Sequence, residues 1–193
     1  VLRDVPALWV FATAAVAALL LLFLLVQYNR MVSLRNRCRE AWSNVDAELL
    51  RRHQLIPNLV AAVSAAARHE RAAVEAVARA RERAMLGHKD LPAVQGAEND
   101  LSRAVGRLLA VAEAYPNLKA SANFLALQEE LGVTEDRIQA ARRFYNGNVR
   151  DYRDQTRQFP GVLVAQAFGF GEVPFFELEA AAARQAPRVA VGA

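Results

Sequence analysis

Residues 5–26 read VPALWVFATAAVAALLLLFLLV, 22 positions without an ionisable side chain. At 1.5 Å per residue this makes roughly 33 Å of helix, enough to cross a hydrocarbon core of ~30 Å. Trp9 near one end and Tyr28 just past the other sit where aromatic rings favour the membrane interface. A cleaved signal peptide is the rival reading. Its apolar part is shorter and a small-residue cleavage site follows it, whereas QYNRMVSLRNR follows here. Residues 1–28 are therefore read as a transmembrane anchor. Arg3 and Asp4 flank it upstream; Arg30, Arg35, Arg37 and Arg39, offset by Glu40, follow it. Cations gather on the cytoplasmic side of an anchor, so the N-terminus is expected outside and the rest in the cytoplasm. The chain opens at Val1 without a methionine, which leaves room for residues upstream and for a weaker charge bias.

The whole chain has 193 residues, with 24 Lys+Arg against 20 Asp+Glu and 54% hydrophobic residues. One cysteine, Cys38, excludes an intramolecular disulfide framework and a multi-cysteine zinc site. Abundant alanine with sparse glycine and proline points to helix. The pI near 9.7 raises nucleic acid as a partner. However, the basic residues nearest the anchor, Arg30, Arg35, Arg37 and Arg39, are placed to meet anionic lipid headgroups, each worth ~1 kcal/mol near the surface. Arg79, Arg81 and Arg83 alternate with glutamates and read as a solvated helix face. Anionic lipid is the expected partner and nucleic acid is not.

Beyond the anchor, apolar residues recur every three or four positions, as on one face of a helix. Segment one, about Tyr28 to Gln54, carries Val32, Leu34, Cys38, Trp42, Val45 and Leu49. Pro57 interrupts, because it lacks an N–H and clashes with the carbonyl of His53. Segment two, Pro57 to Leu86, carries Leu59, Val60, Val63, Ala67, Val74 and Val77. GHKDLPAVQG, residues 87–96, reads as a loop. Segment three begins near Ala97 and is kinked or restarted at Pro116. Segment four opens at GVTEDR, where Gly132 stops one helix and Thr134 caps the next. Matched lengths and short connections predict an all-α fold: the transmembrane helix, then an up-and-down antiparallel four-helix bundle with coiled-coil-like packing over residues 29–160. One long kinked helix through Pro57 would keep the same apolar phase; a hairpin at Pro57 is preferred, because a single helix would outrun its partners. Residues 161–193 form a Phe-rich tail with a short helix from Val162 to Phe168, broken by Gly169, Gly171 and Pro174. This tail either folds onto the bundle or presents an apolar element to lipid or another subunit. Beyond about Ala180 it is expected to be flexible.

No constellation for catalysis stands out. His69-Glu70 resembles half of a zinc-binding H-E-x-x-H motif, but Ala73 stands where the second His is needed. Glu40, Glu48, Glu70, Glu75 and Glu98 lack the Glu-x-x-His pairs of a di-metal bundle site. His53, His69 and His88 are scattered, and Cys38 lies on the apolar stripe as a buried small residue. No cofactor and no metal is expected.

What remains are strings that helix building does not require. They are Tyr28-Asn29, Ala41-Trp42-x-x-Val45-Asp46 and Arg51-Arg52-x-x-Leu55-Ile56-Pro57-Asn58-Leu59-Val60. Further on stand Ala114-Tyr115-Pro116-Asn117-Leu118-Lys119-Ala120, Thr134-Glu135-Asp136-Arg137-Ile138, Ala141-Arg142-Arg143-Phe144-Tyr145-Asn146 and Phe159-Pro160. Together they resemble the LemA family of bacterial membrane proteins, from the anchor to about Phe176. Cys38 and Gly147-Asn148 depart from the family pattern without touching these blocks. The resemblance implies a single anchor in the bacterial inner membrane, a cytoplasmic four-helix domain and no catalytic residues. It also implies a part in membrane organisation or membrane-protein quality control. Relatives are associated with magnetosome membrane formation, and others occur beside membrane metalloproteases of the HtpX type.

The blocks themselves read as turn geometry and capping, with Asn58 and Asn117 following prolines at helix interruptions. Arg51, Arg52, Asn58, Asn117, Arg142, Tyr145 and Asn146, with Arg143, form a candidate patch for a protein partner. The expected function is a membrane-tethered scaffold or adaptor that assembles as a homo-oligomer, since tethering lets weak lateral contacts suffice. An enzyme or metal protein with a site between helices, and a transmembrane sensor, are the alternatives.

Overall fold

The computed structural model describes residues 5–67, 69–86 and 90–178. Every regular element among them is a helix: α1 (Val5–Ala66), α2 (Arg71–Met85), α3 (Leu91–Ala112), α4 (Pro116–Lys119), α5 (Ala122–Arg157) and α6 (Gly161–Phe168). The chain divides into two units, Val1–Trp42 with Tyr145–Pro174, and Ser43–Phe144 with Phe175–Ala193. α1 and α5 contribute to both.

The first unit contains the apolar run. Every side chain from Trp9 to Val26 is exposed, and α1 is the one described helix long and apolar enough to cross a membrane. From Met31 onward the same helix turns one face inward, burying Met31, Cys38 and Ala41, while α5 buries Tyr145, Val149 and Tyr152. The Trp42 and Tyr145 rings meet edge to face at 5.5 Å. After α5 a short turn leads into α6, which buries Val164 and Ala165 against Met31. Gly161 opens α6 where nothing larger fits, since a Cβ there would lie 2.1 Å from the Gln155 carbonyl oxygen. Gly169 ends α6 in the left-handed region, φ 69°, which glycine adopts without the cost a side chain would bring. The following segment runs back along α5. The hydroxyls of Tyr152 and Tyr145 donate to the carbonyls of Gly171 and Pro174, each at 2.8 Å, and Arg153 Nε donates to Val173 at 2.8 Å.

The second unit is built around a hydrophobic core. Ile56, Leu59 and Val63 of α1 meet Val77 and Ala80 of α2, Leu101, Ala104, Leu108 and Ala112 of α3, Leu118 of α4 and Phe124 of α5. Phe176 and Leu178 are also buried.

Two expected helix ends are corrected. The hairpin does not form at Pro57, which lies inside α1; the chain reverses after Ala66, and α2 starts at Arg71. Pro57 leaves the His53 carbonyl without its helical partner, and Arg81 Nε of α2 donates to that oxygen at 2.8 Å. The missing bond is thereby replaced from a neighbouring helix. Gly132 likewise starts no new helix: GVTEDR lies within α5, with Thr134 buried rather than capping. A glycine costs a helix only about 1 kcal/mol, and the apolar phase of Phe124, Leu127, Leu131, Ile138 and Tyr145 runs straight through it. The predicted loop at 87–96 is shorter than expected, because α3 begins at Leu91 with Pro92 in its first turn. Pro116 does restart a helix, α4. The expectation for the chain beyond Ala180 falls outside the described residues.

Candidate functional site

The second unit buries a charged cluster. Arg52 and His53 of α1 and Glu98 of α3 are each at most 5% exposed. Glu98 offers one carboxylate oxygen, Oε2, to the Arg52 guanidinium and the other, Oε1, to His53 Nε2 at 2.7 Å. Arg52 also donates to Ser102 Oγ at 3.0 Å, and Ser102 donates to the Glu98 carbonyl at 2.9 Å. Burial pushes the Glu98 carboxyl upward. The His53 hydrogen bond and the Arg52 charge more than offset this and hold it below its ordinary value. An ionised carboxylate only accepts, so His53 Nε2 carries the proton.

The cluster extends outward through polar side chains. Arg52 makes a longer 3.4 Å contact with Glu135 of α5. Gln139 donates to Glu135 at 3.1 Å, and Arg142 donates to Gln139 at 2.7 Å. The second arm of Arg142 reaches the Leu178 carbonyl at 2.7 Å, and Gln95 of α3 accepts from the Glu177 backbone N–H at 3.2 Å. A chain of contacts therefore joins the buried ion pair to the C-terminal segment.

On another face of the same unit, α2 and α3 form a groove of about 250 Å³. Ala76, Ala80 and Ala104 form its floor; Arg79, Arg83, Arg103 and Arg107 line it, with Asp100 the one carboxylate among them. Asp100 pairs with Arg103 and lies 3.7 Å from Arg83, and Arg79 pairs with Glu75 at 3.2 Å. Four guanidiniums around one lining carboxylate make a surface able to hold an anionic group.

The residues singled out from the sequence are dispersed. Arg51 and Asn58 on α1, Asn117 on α4 and Arg143 on α5 are exposed, whereas Arg52 is buried in the ion pair and Arg142 is half-buried. Arg52 and Arg142 are joined through Glu135 and Gln139. Tyr145 belongs to the first unit, where burial pushes its hydroxyl up to about 12, and Asn146 lies beside it on α5, half-buried. Of the arginines after the apolar run, Arg30, Arg37 and Arg39 are exposed, and Arg35 lies over the Phe170 ring at 5.2 Å. Cys38 is buried, which raises its thiol pKa.

The sequence shows Glu98 and His53 as unsuited to a metal or catalytic site, but not their pairing, nor the groove. The ion pair and the groove each had a signal. Arg52 stands on the apolar phase that contains Leu49, Ile56 and Leu59, and Glu98 stands three residues before Leu101 on the stripe of α3. Opposite charges on two core-facing stripes are a cue for a buried pair. The groove was foreshadowed by basic residues four apart on both helices, Arg79 with Arg83 and Arg103 with Arg107.

Among the described residues, no three His, Cys, Asp or Glu side chains gather where they could hold a metal ion. Both carboxylate oxygens of Glu98 are paired within the cluster, whereas Arg52 Nε is buried without a hydrogen-bond partner among the described residues.

These features define an all-helical protein with one exposed apolar N-terminal helix and a polar cluster built into its helical core. The chain belongs to the LemA family, whose model matches residues 41–190. It is similar to magnetosome protein MamQ of Magnetospirillum gryphiswaldense, 24% identical over 178 residues, covering 79% of this chain and 65% of that protein. It is also similar to magnetosome protein MamQ 2 of Paramagnetospirillum magneticum, 25% identical over 199 residues, covering 90% of this chain and 73% of the relative. The chain thus spans about two thirds of the first relative's length.

Proposed function

We propose that the protein is a non-enzymatic, single-pass membrane adaptor. Its N-terminus lies outside the bacterial inner membrane, and its helical part packs as a four-helix bundle on the cytoplasmic face. One observation carries this reading. α1 is exposed and apolar from Trp9 to Val26, then buries one face between Met31 and Val63. An 18-residue stretch of this helix with mean hydropathy 2.7 and no burial has no protein partner among the described residues, and lipid is the solvent that suits it. Arg30, Arg37 and Arg39, exposed just beyond, suit anionic headgroups. The arginine groove between α2 and α3 has the charge to receive an acidic segment of another protein. Self-association on the membrane, with a role in membrane organisation, agrees with relatives named as magnetosome proteins. A membrane metalloprotease of the HtpX type is the partner that would extend this role to membrane-protein quality control.

The test is extraction of bacterial membranes with alkaline carbonate, followed by protease protection of inverted vesicles. The expected outcome is a chain that stays in the pellet, with its helical part digested from the cytoplasmic side. Release into the carbonate wash would overturn the reading. Mass photometry after mild-detergent extraction should show species larger than a monomer.

A further inference from the structure

Residues 159–171, FPGVLVAQAFGFG, contain α6 and no ionisable side chain. Among the described residues of the first unit, exposed large apolar side chains occur in two places: from Trp9 to Tyr28, and at Phe159, Leu163 and Phe168. The second group is 80%, 59% and 58% exposed. Leu163 and Ala167, four residues apart on α6, share an exposed face, and Phe159 stands exposed in the turn that precedes the helix.

The contacts of α6 fix where this face lies along α1. At its start, a Cβ on Gly161 would come within 3.1 Å of Met31 Cε, and Val164 and Ala165 pack on the same methionine. At its end, the Phe168 ring meets the Tyr28 ring edge-on at 5.0 Å, with Phe170 on the same tyrosine at 5.5 Å. Tyr28 and Met31 are separated by about 4.5 Å of helical rise, whereas eight residues of α6 extend about 12 Å. α6 therefore packs against the stretch of α1 between Tyr28 and Met31. Next to Tyr28, Gln27 accepts a 2.8 Å hydrogen bond from Gln155 Nε2 of α5. Gln27 is the first polar residue after the apolar run ends at Val26. α5 runs antiparallel to α1 here, with Tyr145 at Trp42 and Gln155 at Gln27. Its end and Phe159 are thus directed toward the apolar run.

We infer that α6, with Phe159, is a second membrane contact: an interfacial helix that lies in the plane of the headgroups and inserts Phe159, Leu163 and Phe168 into the lipid beside the anchor. This rests on the anchor reading above. A short uncharged helix packed on a spanning helix just past its apolar run, with exposed apolar side chains, suits a lipid interface. The same position gives this element a mechanical part, setting the depth and preventing rotation of α1 about its own axis.

The full chain is reconstituted into vesicles of phosphatidylcholine and phosphatidylglycerol. An environment-sensitive fluorophore is placed on Leu163→Cys or, separately, Phe159→Cys, in a Cys38→Ala background. Matching reporters on Val16→Cys and Arg150→Cys mark the span and the aqueous side. Lipids with a shallow nitroxide should quench positions 163 and 159 about twofold, as for side chains ~5–10 Å into the headgroup and acyl boundary. Position 150 should be unaffected. Quenching at 16 without quenching at 163 and 159 would overturn the interfacial helix and leave the anchor standing, and a blue-shifted, unquenched signal there would assign the face to a second copy of the chain. No quenching at 16 from deep or shallow nitroxides would remove the anchor reading, and this inference with it.

Discussion

Arg52 and Glu98 occupy positions that the periodicity of their helices reserves for apolar side chains, and they are tolerated there because each supplies what the other lacks. Removing one partner leaves a charge buried without compensation, a loss of about 3–5 kcal/mol. Glu98→Ala is expected to destabilise the second unit by this amount, read from the midpoint of denaturant unfolding. A change below ~1 kcal/mol would show that Arg52 finds another partner. The folded carboxyl titrates below its ordinary value of 4.5. Its contribution is therefore complete above the unfolded value and is lost as pH falls through the lower folded one. Glu98→Gln should flatten the acid limb of a stability profile measured from pH 7 downward. Gly161 makes a steric case of the same kind: Gly161→Ala brings a methyl group against the Gln155 carbonyl. It should dislodge α6, seen as deprotection of its amides in hydrogen exchange while α3 stays protected.

At the scale of the element, Pro57 and Arg81 belong together. The proline removes one bond of α1, and the arginine of α2 occupies the carbonyl left behind. Arg81→Ala should cost about 1.5–3 kcal/mol, as for a hydrogen bond with a charged donor. In a Pro57→Ala background, an N–H is restored to the same carbonyl and the cost should fall by at least ~0.5 kcal/mol. Strict additivity in that double-mutant cycle would separate the two residues. This pair also shows why the hairpin was misplaced. A proline read alone ends a helix, and the apolar phase of Leu49, Ile56, Leu59 and Val63 continues through it. The phase reports the tertiary demand on the helix, which here outweighs the local penalty. The same comparison holds at Gly132. The true reversal, between Ala66 and Arg71, carries no proline or glycine, which is why composition did not mark it.

For the molecule as a whole, the C-terminal segment takes part in both units, with Gly171, Val173 and Pro174 held along α5 in the first, and Phe176 and Leu178 buried in the second. Ending the chain after Pro174 should expose core apolar surface and leave Arg142 without its Leu178 acceptor. We expect lower thermal stability of the second unit and faster amide exchange in α3; unchanged exchange would show the segment to be dispensable. The sequence by itself determined the helical class, the lipid-compatible run and the family, because these depend on composition, periodicity and short blocks that no neighbour can alter. The tertiary structure decided where the helices end and which charges are buried. It also placed α6 against Tyr28 and Met31, just past the apolar run of α1. A cap, a break or a buried ion pair is settled by the partner that arrives from elsewhere in the chain, as Arg81 does at His53 and Glu98 does at Arg52: periodicity marks Arg52 and Glu98 as core-facing, and only the packing of α1 on α3 makes them meet.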